Sequence, residues 1–270
     1  MAVCKLLAAL ALVISAGGLL EGEVRSSIVG GEEAPQGRWP WVVHLNITTD
    51  DRLLRWRCGA AILNDQWLLT SASCWDKRRK PSLARTIVWL GAHNLRQGSA
   101  RFMAVLFVIS HPGYRALGGG YMNNIALVKL RKKVKFSPLI APVSLPSVNT
   151  IFGLLSECWI AGWGSIGDGD PLLLLDTLQQ QKIPILPRSV CEVDYPELTS
   201  DMLCAGGVAA GKNVWKGDYG GPLVCCTGSD FVLVGIMSYR SVEGCGLMGR
   251  PSVYTQVSKY LSFINDYIHS

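Results

Sequence analysis

Between Ile28 and Val257 the chain alternates short apolar or alternating runs with Gly, Pro, Asn and Asp. Trp41 to Leu45, Ala60 to Leu63, Trp67 to Thr70 and Phe231 to Met237 each have the length of a strand, and the residues between them suit turns. Many short strands without intervening helical periods predict an all-β barrel or sandwich. One stretch departs from the pattern. Val257, Leu261, Ile264 and Ile268 recur at helical spacing, which predicts a single amphipathic α-helix at the C-terminal end. The Gly118-Gly119-Gly120 run reads as a loop tip, since no strand-to-helix context with a following lysine makes it a phosphate cradle.

The first residues obey a different rule. Lys5, the apolar run from Leu6 to Ile14 and the small residues Ser15 to Gly18 have the layout of a cleaved secretory signal. The run is too short to span a bilayer. No later segment supplies a span and no apolar tail follows Tyr267, so neither a transmembrane nor a lipid anchor is expected and the protein is expected outside the cell. Nine cysteines agree with export, because disulfides persist in oxidising compartments; Cys4 falls in the signal and leaves eight. Asn46-Ile47-Thr48 matches a glycosylation sequon. A hydrophobic content of 49 % supplies a core for one large or two small domains. The formal charge of +6 admits anionic partners without identifying one; no nucleic acid, metal or cofactor is expected.

Six separated blocks carry a resemblance. Ile28-Val29-Gly30-Gly31, Trp39-Pro40-Trp41, Cys158-Trp159-Ile160-Ala161-Gly162-Trp163-Gly164, Asp201-Met202-Leu203-Cys204-Ala205-Gly206, Gly217-Asp218-Tyr219-Gly220-Gly221-Pro222-Leu223 and Pro251-Ser252-Val253-Tyr254-Thr255 follow one another in this order. Together they resemble the chymotrypsin and trypsin family of serine proteases over essentially everything from Ile28 onward. The resemblance implies two six-stranded antiparallel β-barrels packed face to face, with any cleft between them. On that plan residues 1–17 are the signal peptide, 18–27 a short pro-segment, 28–131 the first barrel, 132–257 the second and 258–270 the C-terminal helix.

The family's chemistry needs a hydroxyl nucleophile, an imidazole that takes and returns its proton, and a carboxylate that fixes the imidazole tautomer. At the position the family gives to its histidine stands Ser73, which has no basic group near neutral pH. The aspartate position holds Asn124, an uncharged amide, and the nucleophile position holds Tyr219, a phenol that titrates near pH 10. Loss of such a triad costs about a millionfold in turnover. The resemblance therefore implies an inactive homologue, even if the amides of Gly217 and Tyr219 keep the oxyanion-hole geometry. His44, His93, His111 and His269 all lie elsewhere in the sequence.

Maturation and pocket depart from the family as well. Asp218, which would receive the freed Ile28 amine, is retained, but Ile28 follows Ser27 and the nearest basic residue is Arg25, so the mature chain is expected to start upstream of Ile28. The resemblance implies the pairs Cys58–Cys74, Cys158–Cys225 and Cys191–Cys204. The bridge across the specificity pocket has Cys245 on one side but Trp215 on the other, which leaves Cys245 and the extra Cys226 free, bridged to each other or paired between molecules. The base of the pocket is Asn213, so a preference for basic side chains is not inherited.

For binding, two basic clusters stand out: Lys77-Arg78-Arg79-Lys80, and Arg131-Lys132-Lys133 with Lys135. Inactive family members that bind heparin-like polymers make a sulfated glycan a candidate partner beside an extracellular protein, although such runs also occur as solvated surface. Leu172 to Leu175 reads as a partner patch or as a segment packed on the second barrel. Three functions remain open: a secreted binding protein, a serine-type endopeptidase-like hydrolase with an unorthodox or residual site, and a relic with no selected role.

Overall fold

The computed structural model describes residues 31–97, 100–164, 176–207, 219–228, 230–239 and 250–269. Its strands in chain order are β1 (Glu32–Glu33), β2 (Val42–Thr48), β3 (Arg55–Ile62), β4 (Trp67–Thr70), β5 (Ile87–Leu90), β6 (Arg101–Ser110), β7 (Arg115–Ala116), β8 (Tyr121–Met122) and β9 (Ala126–Leu130). They are followed by β10 (Cys158–Gly162), β11 (Gln179–Lys182), the helix α1 (Arg188–Asp194), β12 (Met202–Ala205), β13 (Pro222–Thr227), β14 (Asp230–Tyr239), β15 (Ser252–Gln256) and the helix α2 (Leu261–Ile268).

The first half closes into an antiparallel barrel, β2-β3-β4-β9-β6-β5. Strand alternation explains why: Val43, Leu45 and Ile47 of β2 and Val88 and Leu90 of β5 point inward and are fully buried, while their neighbours His44, Asn46, Ile87 and Trp89 face outward. Cys58 is bonded to Cys74, which ties β3 to the turn after β4.

The second half differs from the expected six-stranded barrel. It is an open sheet of seven strands, β1-β11-β10-β13-β14-β15-β12, with the N-terminal β1 as an added edge. The two ends approach each other without forming a ladder. Gly206 N donates to Pro184 O at 2.9 Å, Leu186 N donates to Cys204 O at 2.9 Å, and a lone bridge pairs Ile185 with Ala205. Pro184 and Pro187 have no N–H to donate, so β11 stops at Lys182. Cys158–Cys225 crosses between β10 and β13, and Cys191–Cys204 fastens α1 to β12.

α2 and the 3₁₀ turn Val257–Tyr260 before it fill the predicted helical stretch. α1 has no counterpart in the sequence reading, because Cys191 is its single buried residue and no apolar stripe exists to be read. Among the described residues no helix is long and apolar enough to cross a membrane.

One core position is chemically mismatched. Gln181 stands opposite Ile160 in the β10–β11 register and is 4 % exposed, and both its amide atoms are buried without a hydrogen-bond partner among the described residues. An unpaired buried polar group costs about 1–3 kcal/mol. Gln181→Leu is therefore expected to raise the urea midpoint at unchanged slope; a lower midpoint would show that the amide has a partner worth more than its desolvation.

Candidate functional site

Three positions singled out in the sequence meet at the seam between the barrel and the open sheet. Ser73 lies in a 3₁₀ turn, Ala72–Trp75, directly after β4. Asn124, 1 % exposed, lies between β8 and β9. Asn124 Oδ1 accepts the Ser73 N–H at 2.7 Å, and Asn124 Nδ2 donates to Ser73 Oγ at 3.1 Å and to Ser238 Oγ at 2.9 Å. Its backbone carbonyl accepts Thr255 Oγ1 at 3.0 Å, and Ser73 Oγ donates to Ser71 Oγ at 3.3 Å. A carboxamide offers both an acceptor and two donors, so one buried side chain satisfies an amide N–H and two hydroxyl oxygens at once.

Tyr219 enters the same seam from the turn before β13. Its carbonyl accepts the Gly59 N–H at 2.8 Å and lies 3.7 Å from Cys74 Sγ. Gly220 N donates to Met237 O at 2.8 Å and Met237 N donates to Gly221 O at 2.9 Å, which clamps the turn between β3 and β14. The approach is so close that it requires glycine: a Cβ on Gly220, whose φ is +82°, would lie 2.2 Å from Thr70 Oγ1 and 2.6 Å from Gly59 O. The Tyr219 side chain is partly buried and packs against both the barrel core and the core of the open sheet.

The histidines are engaged elsewhere. His44 is buried edge-on to Trp89 and Trp163, and its pKa is pushed down to about 3, first by burial and then by the charge of Arg57. His93 Nε2 is 3.1 Å from the Glu33 carboxylate. His111 accepts the Gly113 N–H at Nδ1 and meets Tyr260 and Phe263 edge-on; burial lowers its pKa against the pull of Asp201. His269 caps the end of α2.

Beside the seam runs an aromatic wall that sequence reasoning missed. Tyr114 stacks on Tyr121, Tyr121 meets Tyr239 edge-on, and Tyr239 meets Tyr195. Burial raises the Tyr239 phenol to about 12. The backbone of Gly120 lies on the Tyr239 ring, where a Cβ would come within 2.6 Å of Cζ. The role of Ser238 was equally hidden, being 114 residues from Asn124; only the small residue at the end of an apolar run hinted at it.

The basic clusters are only partly available. Arg78 pairs with Asp76 at 2.5 Å and holds that carboxylate down to about 2, Arg79 lies over the Trp56 ring, and Lys77 and Lys80 are exposed. Arg131 Nε donates to Val105 O at 3.2 Å and Lys133 pairs with Asp65 at 2.8 Å, while Lys132 and Lys135 are exposed. Asn46 sits mid-strand between Arg57 and Ile87, half-buried, with a buried Oδ1 that has no hydrogen-bond partner among the described residues. Cys226, which the sequence leaves without an assigned partner, is disulfide-bonded. Ile28, Leu172 to Leu175, Asn213, Trp215, Gly217, Asp218 and Cys245 lie outside the described residues.

The family model described as Trypsin matches residues 28–264. Coagulation factor XI of Bos taurus is 35 % identical over 244 residues, which cover 90 % of this chain and 38 % of that protein. The chain thus spans well under half the length of this relative.

Proposed function

Because the chain belongs to the trypsin family of serine proteases, we propose that it keeps the scaffold without the hydrolytic chemistry, as a secreted, catalytically inactive homologue that acts by binding. The observation that carries this reading is the Asn124 amide, hydrogen-bonded to Ser73 and Ser238. A hydroxyl and an amide occupy the base and acid positions, and neither takes a proton near neutral pH. No group at these two positions would generate a tetrahedral intermediate. The open sheet corresponds to the family's second barrel on this reading, its two ends approaching at the isolated Ile185–Ala205 bridge.

The partner is an extracellular protein or a sulfated glycan, the latter supported by the exposed Lys77 and Lys80. Incubation with a fluorophosphonate probe tests the inert cleft. No covalent label is expected on the purified protein under conditions that label an active serine protease fully; stoichiometric labelling at Tyr219 or any other hydroxyl would overturn the proposal.

A further inference from the structure

The charges of the chain are distributed unevenly. From Lys77 to Ser156 there is no Asp or Glu, yet this stretch holds 13 of the 26 Lys and Arg. The same stretch carries 10 of the 14 large hydrophobic side chains exposed among the described residues. Part of both sets meets on the outer face of the barrel. Ile87 of β5 pairs with Ala104 of β6, Trp89 pairs with Phe102, and Leu106 follows on the same face of β6. Ile87 is 43 % exposed, Phe102 55 % and Leu106 43 %, with the Trp89 and Phe102 rings 4.8 Å apart, edge to face. Arg131 fastens the basic segment to this face, its N–H donating to Ala104 O at 3.0 Å and its Nε to Val105 O. Lys132 and Lys135 extend from there into solvent.

We propose that this face docks on an anionic lipid surface. A sulfated glycan would neutralise the cations and leave the apolar side chains in water. A peptide would need a groove or a free strand edge, whereas β5 and β6 are each paired on both sides and the outside of a closed barrel is convex. A bilayer interface satisfies both sets at once: aromatic and aliphatic side chains enter the boundary of headgroups and acyl chains, and Lys and Arg face the lipid phosphates. The inference goes beyond the inert cleft and does not depend on it.

Co-sedimentation of the full chain with vesicles of phosphatidylcholine alone, or with about 30 % phosphatidylserine, tests it. Partitioning into the anionic vesicles is expected to be at least about tenfold stronger. Phe102→Ser with Leu106→Ser should lower it about tenfold at constant net charge, and Lys132→Gln with Lys135→Gln by a similar factor of about ten. All four positions are exposed, so an unchanged thermal midpoint serves as the folding control. Equal partitioning into both vesicles, or indifference to the Phe102 and Leu106 pair, would overturn the proposal. Retention on heparin beads that depends on the two lysines alone, without vesicle binding, would assign the face to a glycan and overturn it as well.

Discussion

A chain that starts at Ile28 and carries Ser73→His, Asn124→Asp and Tyr219→Ser together is expected to hydrolyse peptide libraries at least about 1,000-fold faster than the same chain without them, whereas each single replacement stays within about tenfold of it. The contrast arises because triad members work as a unit. The seam already has the connections the acid needs. The backbone N–H of residue 73 points at Oδ1 of residue 124 from 2.7 Å, and Ser238 Oγ lies 2.9 Å from Nδ2. With a carboxylate in place of the amide, Ser238 has only to turn its hydroxyl from acceptor to donor. An imidazole at 73 then has a partner for its second nitrogen. Turnover by the triple variant alone would mean that only the chemistry was removed from an intact scaffold. Inertness in all variants would place a second defect in the segments flanking Tyr219, and turnover by the unaltered chain would sink the inactive reading.

Gly220→Ala is expected to cost more than about 4 kcal/mol, or to prevent folding altogether. Two penalties coincide there. The left-handed φ of +82° disfavours any side chain, and the new methyl would overlap Thr70 Oγ1 and the Gly59 carbonyl. The neighbours cannot retreat, since Thr70 Oγ1 donates to Gly59 O at 2.7 Å and Gly59 N holds the Tyr219 carbonyl. Gly118→Ala or Gly119→Ala in the hairpin between β7 and β8 provides the comparison, because a methyl at either position meets nothing within 4 Å. Thermal melts should show a fall of at least about 8 °C for Gly220→Ala and almost none for the hairpin variants. A small shift at Gly220 would show that the turn slides away from β3, contrary to the clamp described above.

Much of the barrel was legible because its strands are short apolar or alternating runs bounded by turn residues. Trp67 to Thr70 is β4, Trp41 to Leu45 falls within β2 apart from Trp41, and in the second sheet Phe231 to Met237 falls wholly within β14. β3 begins earlier than the apolar run that announced it, since Arg55-Trp56-Arg57 sit half-exposed on the pleat and look like a loop. That the second sheet stays open was not legible: its ends meet through backbone groups around Pro184, which leave no hydrophobic signature. At the site, the residue types at 73, 124 and 219 could be read directly. Their mutual satisfaction could not, because Ser238 reaches Asn124 only after the chain has completed most of the second sheet. The Tyr239 wall escaped notice for the same reason.

The two ends of the described chain are exchanged between the halves. β1 belongs to the second sheet, where Glu32 and Glu33 pair with Gln180 and Gln179. α2 returns to the first barrel, where Asn64 Nδ2 donates to Ile268 O at 3.0 Å and Tyr267 packs on Trp67. During synthesis the barrel strands emerge from the ribosome long before the helix that shields Trp67. The first half therefore waits, with that indole covered by Phe107 and Lys129 but lacking its Tyr267 contact, until α2 has been made, and during this interval a chaperone has a defined apolar surface to hold.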